Sequence, residues 1–453
     1  MTTPAPRSPR VNDPLDALLR PAMAPLTHAV GESLEGRGLT FEGESFRFSA
    51  YPTIVDTEVG EQLSADSVRI AAVLERCAAR FTERLRHGPD LGPLAPYFDA
   101  LSDWFPAMTA EHRTLPHINL LRFDTIITPD GARLLENNSA CPGGVIHCGM
   151  LHRAWREAVF AQWGLEFPRP SGVLEPEYFL RTIDRLMSRT GQTGLLAVLH
   201  DRGAHQNEVP TLLRVFHAMD RAHMTHLTGL VSADIREIQC PDPSTPPTLA
   251  GEPVGLMYCK LPPMQLDPTD PELRPWLNAL EGPHCDLLNS LVSMYVIESK
   301  SSLAAVQDPA VQELIGLTQD EVDLVETYYP TTRMMSGGNA PEGLQPPLVA
   351  KPTNLTRGEG VRLLDSQTAV REFLASTPTT DGLWIWQDQV RPPRRTVPDE
   401  DGGERQEYFG VDAFVISGEF AGLVGRSHTD PVFNVGNGGR ENVVLLERDV
   451  PWN

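Results

Sequence analysis

The stretch Ile118 to Gly144, INLLRFDTIITPDGARLLENNSACPGG, constrains the chain most, because as a β-hairpin it sets two acidic side chains against each other. Pro129, Asp130 and Gly131 suit a three-residue turn: proline fixes the first φ, aspartate tolerates the second position and glycine takes the left-handed third. In that register Thr128 opposes Ala132, Asp124 opposes Glu136 and Arg122 opposes Asn138. Period-two alternation puts all four polar side chains on one face. Carboxylates directly across a ladder, about 5 Å apart at Cβ, repel. A cation between them removes the repulsion, and an all-oxygen set of two carboxylates and an amide suits Mg²⁺ or Mn²⁺. Arg122 beside them suits an anionic group on that metal. The plainer reading, solvated residues on the open face of a one-sided hairpin, stays open at this point.

At 453 residues the chain has length for two or three domains, and its hydrophobic (41%) and charged (22%) fractions are those of a globular protein. A net charge of −22 argues against nucleic-acid and anionic-membrane partners, which need basic patches. It leaves room for a small anionic substrate at a local positive site. No stretch has the apolar length of a membrane span, and the N-terminus lacks a signal-type apolar core, so a cytoplasmic location is expected. The six cysteines contain no CxxC, which points to neither a disulfide framework nor a zinc site. His147, Cys148 and His152 lie close together but lack a fourth partner, and read as packing or surface residues.

The 38 basic residues include only three lysines, Lys260, Lys300 and Lys351. A chain that uses arginine wherever a generic cation serves has kept lysine at three points. Lysine is a compact point charge on a slim stem, suited to a phosphate in a narrow pocket. Chance survival remains the simple alternative.

Along the chain, residues 1 to about 15 are Pro-rich and expected to be disordered. Apolar spacing predicts a helix over Ser64 to Arg86, capped by Ser64 or Asp66, and another over His147 to Trp163. GLLAVLHD from Gly194, a helical run over Asn207 to Met224, LTGLVSADI and PVGLMYCK read as a small parallel α/β domain. Lys260 ends its last strand, where a lone lysine is commonly solvated. Helices resume from Leu287, one starting at a Thr318 to Glu321 capping box. Strands are expected at Lys351 and over Trp384 to Val390, a charged loop over Arg391 to Glu407, and a hairpin through Ser417-Gly418.

Arg357-Gly358-Glu359-Gly360, between two strands, reads either as a glycine-bearing hairpin turn or as a phosphate cover whose backbone N–H groups turn toward an anion. Neither a Walker motif nor GxGxxG after a strand occurs.

RFD, ENN twelve residues after Asp124, a helical SK, a strand AKP with its RGEGV loop, WQ, and a later GLVGR follow one another in order. In that order and spacing the chain resembles circularly permuted ATP-grasp enzymes, most closely the synthetase domain of glutathionylspermidine synthase, over Ile118 to Gly439. The resemblance implies an α/β (α+β) fold. Its parts would be a mostly helical region over 1–117, the metal-binding hairpin and following helix over 118–192, a pre-ATP-grasp α/β domain over 193–296 and the nucleotide-binding subdomains over 297–453. It implies that Asp124, Glu136 and Asn138 hold the magnesium ions of ATP, and that Arg122 and Arg426 meet the transferred phosphoryl group. Lys300 and Lys351 would hold the α- and β-phosphates, Arg357 to Gly360 would close over them, and Gln387 with the backbone near Val390 would border the adenine. The implied reaction joins a small-molecule or peptide carboxylate to an amine through an acylphosphate, releasing ADP and phosphate.

The match fails at Ser139-Ala140-Cys141-Pro142-Gly143-Gly144, and no amidase domain is present. Ser139, Cys141, Gly143 and Gly144 are therefore candidate substrate contacts. Cys141 invites a nucleophile reading, but with no base identifiable in sequence a structural or contact role is the simpler one. The alternative function is an ATP-binding protein of this fold without ligase activity.

Overall fold

The computed structural model describes the chain apart from residues 1–12, 42–43, 100, 111–112, 141, 168–173, 205–207, 262–265, 336–344, 356–357, 377–382, 400–402, 433–437 and 451–453. Its centre is a seven-stranded sheet built from both halves of the chain. Across the sheet run Phe48–Val55, Arg440–Leu446, Glu419–His428, Glu404–Ile416, Leu120–Thr128 and Gly131–Asn138, with Arg394–Pro398 also paired to Glu404–Ile416. All pairings are antiparallel except that of Arg440–Leu446 with Phe48–Val55. The Ser417-Gly418 hairpin forms as expected. The charged stretch after Arg391 is not only a loop: Arg394–Pro398 is a short strand, polar because it lies at an edge.

Alternation along these strands separates two cores. Leu121, Phe123, Ala413 and Val415 share one with Ile70, Leu74 and Phe81 of the 31-residue helix Thr57–His87. Phe414, Ile416, Val424, Val443 and Leu445 share the other with Trp155 and Val159 of the helix His147–Trp163. Phe123 and Phe414, both fully buried on opposite faces, each contribute about 1.5–3 kcal/mol by leaving water. The long helix begins seven residues before the expected Ser64, capped by Asp56, whose carboxylate accepts from the N–H groups of Glu58 and Val59.

Two smaller sheets complete the fold. Leu227–Asp234, Gly194–His200, Glu252–Cys259 and Asp286–Leu287 are neighbours in parallel, as the α/β pattern predicts. The helix between the first two of these in chain order is Val209–Ala218, shorter than the run suggested. Thr332–Met334, Trp384–Asp388, Leu348–Pro352 and Arg362–Leu364 form an antiparallel four-stranded sheet. Between the two lies Ser293–Ile297, a widened turn of π-helix, followed by the short helix Ser301–Ala305 with Lys300 at its N-cap. Gln319–Tyr328 starts at the expected capping box. No described helix is long and apolar enough to cross a membrane.

Candidate active site

Asp124 does oppose Glu136, and Arg122 opposes Asn138, but by a different route from the expected turn. Thr128 pairs with Gly131, so the connection is the two residues Pro129 and Asp130 rather than three. The frame is restored by a bulge: Asp124 pairs with Glu136 and Thr125 with Leu134, leaving Leu135 unpaired. That extra residue carries consequence, because its carbonyl accepts a hydrogen bond of 3.2 Å from Lys351 Nζ.

The carboxylates are answered by cations from distant segments. Asp124 is buried and accepts at Oδ1 from Arg122 Nε (3.0 Å) and Asn138 Nδ2 (2.8 Å), and pairs at Oδ2 with Arg426 Nη2 (2.9 Å). Burial opposes its charge, but the guanidinium groups of Arg122 and Arg426 outweigh that and hold the carboxyl below the usual carboxylate range. Glu136 Oε1 pairs with Lys300 Nζ at 2.7 Å, and the same ammonium donates to the Leu355 carbonyl at 2.6 Å.

Lys351 lies in the four-stranded sheet, 7% exposed, and donates to Gln387 Oε1 at 2.6 Å as well as to Leu135. Both acceptors are neutral. Burial lowers its pKa to about 8, against the pull of Glu136 and with the push of Lys300. Gln387 is equally buried and its amide donates to Thr332 Oγ1, so it fixes the lysine's direction. Val390 follows the strand's end, half-buried. Gly358 and Gly360 have φ of 75° and 74°, as a turn of backbone N–H groups requires, and Glu359 between them is exposed. Arg357 lies outside the described residues.

Lys260, the third lysine, is not solvated: it is 5% exposed and pairs with Glu208 at 2.9 Å. Glu208 feels burial pushing its pKa up, but Lys260 and His147 carry it down to about 2.

Over Ser139 to Gly144 the described backbone is already committed. Ser139 and Ala140 donate their N–H groups to Glu298 Oε2 at 2.6 and 2.8 Å, and Gly144 donates to Glu208 Oε1 at 2.7 Å. Ser139 is fully buried and its hydroxyl donates to the Ser293 carbonyl. Gly143 offers its carbonyl to Arg122 Nη1 at 3.0 Å. Cys141 lies outside the described residues. Of this strip, Gly143 and Gly144 are the described positions that border the charged cluster.

Two carboxylates on the same sheet face escaped sequence reasoning. Asp412, wholly buried, pairs with Arg426 Nε at 2.6 Å, accepts from its Nη2 at 2.7 Å and lies 3.6 Å from Arg122 Nε. Burial raises its pKa, opposed by Arg426 and reinforced by Asp124, the reverse of the direction at Asp124 itself. Glu441 is the register partner of Arg426. A signal existed: Asp412 is in phase with Phe414 and Ile416, and Glu441 with Val443 and Leu445, so each charge lies on its strand's apolar side.

Asp124, Glu136 and Asn138 form an all-oxygen donor set on one face, and Glu136 keeps a quarter of its side chain exposed. The set fits a hard divalent cation, whose charge would take over the neutralisation now supplied by Lys300, Arg122 and Arg426. Among the described residues no cluster of three or more His, Cys, Asp or Glu offers a competing metal site.

No protein-family model matches the sequence, and no curated protein does. Among solved structures, the chain is similar to a glutathione synthetase-like effector from Globodera pallida, with a TM-score of 0.62 at 12% identity over 94% of this chain and 97% of that one. A candidate gamma-glutamylcysteine synthetase from Methylobacillus flagellatus KT aligns with a TM-score of 0.42 at 12% identity, covering 84% of this chain and 88% of that one. At this identity the first likeness shows a shared mixed α/β fold.

Proposed function

We propose that the chain is an ATP-dependent carboxylate–amine ligase of circularly permuted ATP-grasp type, forming an amide bond and releasing ADP and phosphate. One observation carries the reading: lysines from two later segments end on neighbouring residues of the hairpin, Lys300 on Glu136 and Lys351 on Leu135. Phosphate-binding cations and hard-metal ligands thereby face one another. The fold shared with a glutathione synthetase-like protein agrees with it.

In this reading Lys351, buried with only neutral acceptors, takes a phosphate of ATP, and Lys300 exchanges Glu136 for a second. Gly358 to Gly360 turn toward the polyphosphate. Arg122 and Arg426, held by Asp124 and Asp412, face the γ-phosphoryl group as it passes to the substrate carboxylate. Transfer of this kind is mostly positioning and charge neutralisation, which fixed arginines supply without reorganisation. Mg²⁺ held by Asp124, Glu136 and Asn138 would neutralise the phosphate oxygens. The amine then displaces phosphate from the acylphosphate.

ADP release is the test, measured with ATP and magnesium over amino acids, small peptides and polyamines. Glu136→Ala is expected to abolish it while circular dichroism stays unchanged; full turnover in that variant ends the assignment. Binding of ATP without ADP release under every pairing, seen as thermal stabilisation alone, would favour a nucleotide-binding protein. The observation that favours this second reading is that Asp124 and Glu136 are both already paired within the protein.

A further inference from the structure

Among the described residues, Glu441 is the acid of this sheet face with no ion pair. It is 5% exposed, and its Oε2 has no hydrogen-bond partner among the described residues. Each neighbouring acid has its counter-group: Asp124 two arginines, Asp412 Arg426, Glu136 Lys300, Glu208 Lys260. A buried carboxyl group with an unpartnered oxygen rests largely protonated, because burial penalises its charge, and it ionises readily only when a cation comes to it.

Its position says what that is. Glu441 stands directly across the ladder from Arg426, so the two side chains share a face. A Cβ on Gly144 would lie 3.7 Å from Glu441 Oε1, and one on Gly143 would lie 3.8 Å from Arg122 Nη1. The glycine pair thus lies between a guanidinium and a carboxylate, with no side chain of its own there. Gly144 has φ +92° and a Cβ would also lie 3.3 Å from the Phe414 ring, so a side chain there is strained by its backbone and crowded by the ring. The arginine side suits the anionic phosphoryl group and the glutamate side a cation.

Resting on the ligase reading, we propose that Glu441 is the acceptor site: it receives the ammonium group of the incoming amine and takes its proton. The ammonium gives one proton to the Glu441 carboxylate. The freed nitrogen lone pair then forms the C–N bond at the acyl carbon, and the C–O bond to phosphate breaks with its electrons leaving on phosphate. The second proton departs with phosphate, leaving a neutral amide and a protonated Glu441. The carboxyl is suited to this: burial and then Glu208 push its pKa up, with Asp412 adding and Arg122 and Arg426 opposing, to about 8, close to that of an amine. Cys148, from the adjoining helix, is the other titratable group in its field, itself pushed up by burial. The substrate class is a primary amine, protonated in water.

The half-reactions separate the roles. Hydroxylamine, largely neutral at pH 7 and small, traps an acylphosphate without needing an ammonium site. Wild-type and Glu441→Gln proteins are compared with ATP, magnesium and the common amino acids as acyl donors. The acceptor is either hydroxylamine or a panel of amino-acid amides and α,ω-diamines. Hydroxamate formation is expected to stay within about twofold, while KM for the amine rises about tenfold or more and the rise of kcat/KM with pH through about 8 is lost; Glu441→Asp should recover part of the loss. Unchanged amine KM and pH profile in Glu441→Gln overturn the assignment, as does an equal loss of hydroxamate and amide, which marks a structural role. No ADP or hydroxamate from the wild-type protein with any donor overturns the ligase reading, and this inference with it.

Discussion

Lys260 and Lys351 are the same residue at nearly the same burial, one at the end of a strand in the parallel sheet and one inside a strand of the four-stranded sheet. Lys260 meets a carboxylate, Glu208, which in turn holds the N–H of Gly144. Lys351 meets two neutral oxygens, those of Gln387 and Leu135. The first charge is neutralised from within and braces two segments of the fold. The second has only dipoles as hydrogen-bond acceptors among the described residues, with Glu136 acting on it from further away, and such a site favours an anion arriving from outside. Scarcity of lysine in the sequence pointed to both; only their partners distinguish Lys260, neutralised by a carboxylate, from Lys351, held by neutral oxygens.

The difference can be broken or sharpened by substitution. Lys260→Met should cost the fold about 3–5 kcal/mol in urea unfolding, since it strands Glu208 in the interior, and Lys260→Met with Glu208→Gln should recover much of that. If the single variant is as stable as the parent, the brace is not one. Lys351→Met should leave stability unchanged or higher and lower ADP release by about a hundredfold or more, the usual scale for losing a charge-stabilising group. Lys351→Arg keeps the charge but not the slim stem, and ATP affinity is expected to fall about tenfold by titration calorimetry. The smallest effect is in the pH dependence of stability. The folded pKa of Lys351 lies near 8, below that of an exposed lysine, so between these values the unfolded chain binds the extra proton. Stability of the parent relative to Lys351→Met should therefore rise as pH goes from 8 toward about 10.5 and be flat below 8. A flat difference throughout would mean the lysine is not desolvated.

Much of the hairpin was legible because pairing of Asp124 with Glu136 depends on period two and on the turn's place, both written locally. The turn itself was misjudged: Gly131 belongs to the strand, and the compensating bulge at Leu135 answers to Lys351, 216 residues away. No local pattern encodes that. The long helix lost its first two turns for a similar reason. The helix includes Gly60, where Leu446 packs so closely that a Cβ would lie 2.4 Å from its methyl group, a contact from the far end of the chain. Lys260 was placed correctly and given the wrong surroundings, since Glu208 lies on a different segment. Asp412 and Glu441 carried a signal in the strand phase, and what hid them was the habit of reading apolar-rich strands for their hydrophobes.

The central sheet has a temporal meaning. The strand with Asp124 reaches its neighbour through contacts such as Thr125 to Asp412, 287 residues along the chain. Arg426 and Glu441 come later still. On a ribosome the hairpin emerges with its acidic pair and Arg122 but long before Arg426, whereas the parallel sheet, closed within residues 194–287, has its strands as soon as that one stretch has emerged. The nascent chain therefore has a long interval in which an incomplete sheet edge is exposed and must be kept from other edges. Pairings of such long sequence separation also form slowly. The charged face of the central sheet, which needs Arg426 and Glu441, is therefore among the last parts of the fold to be completed.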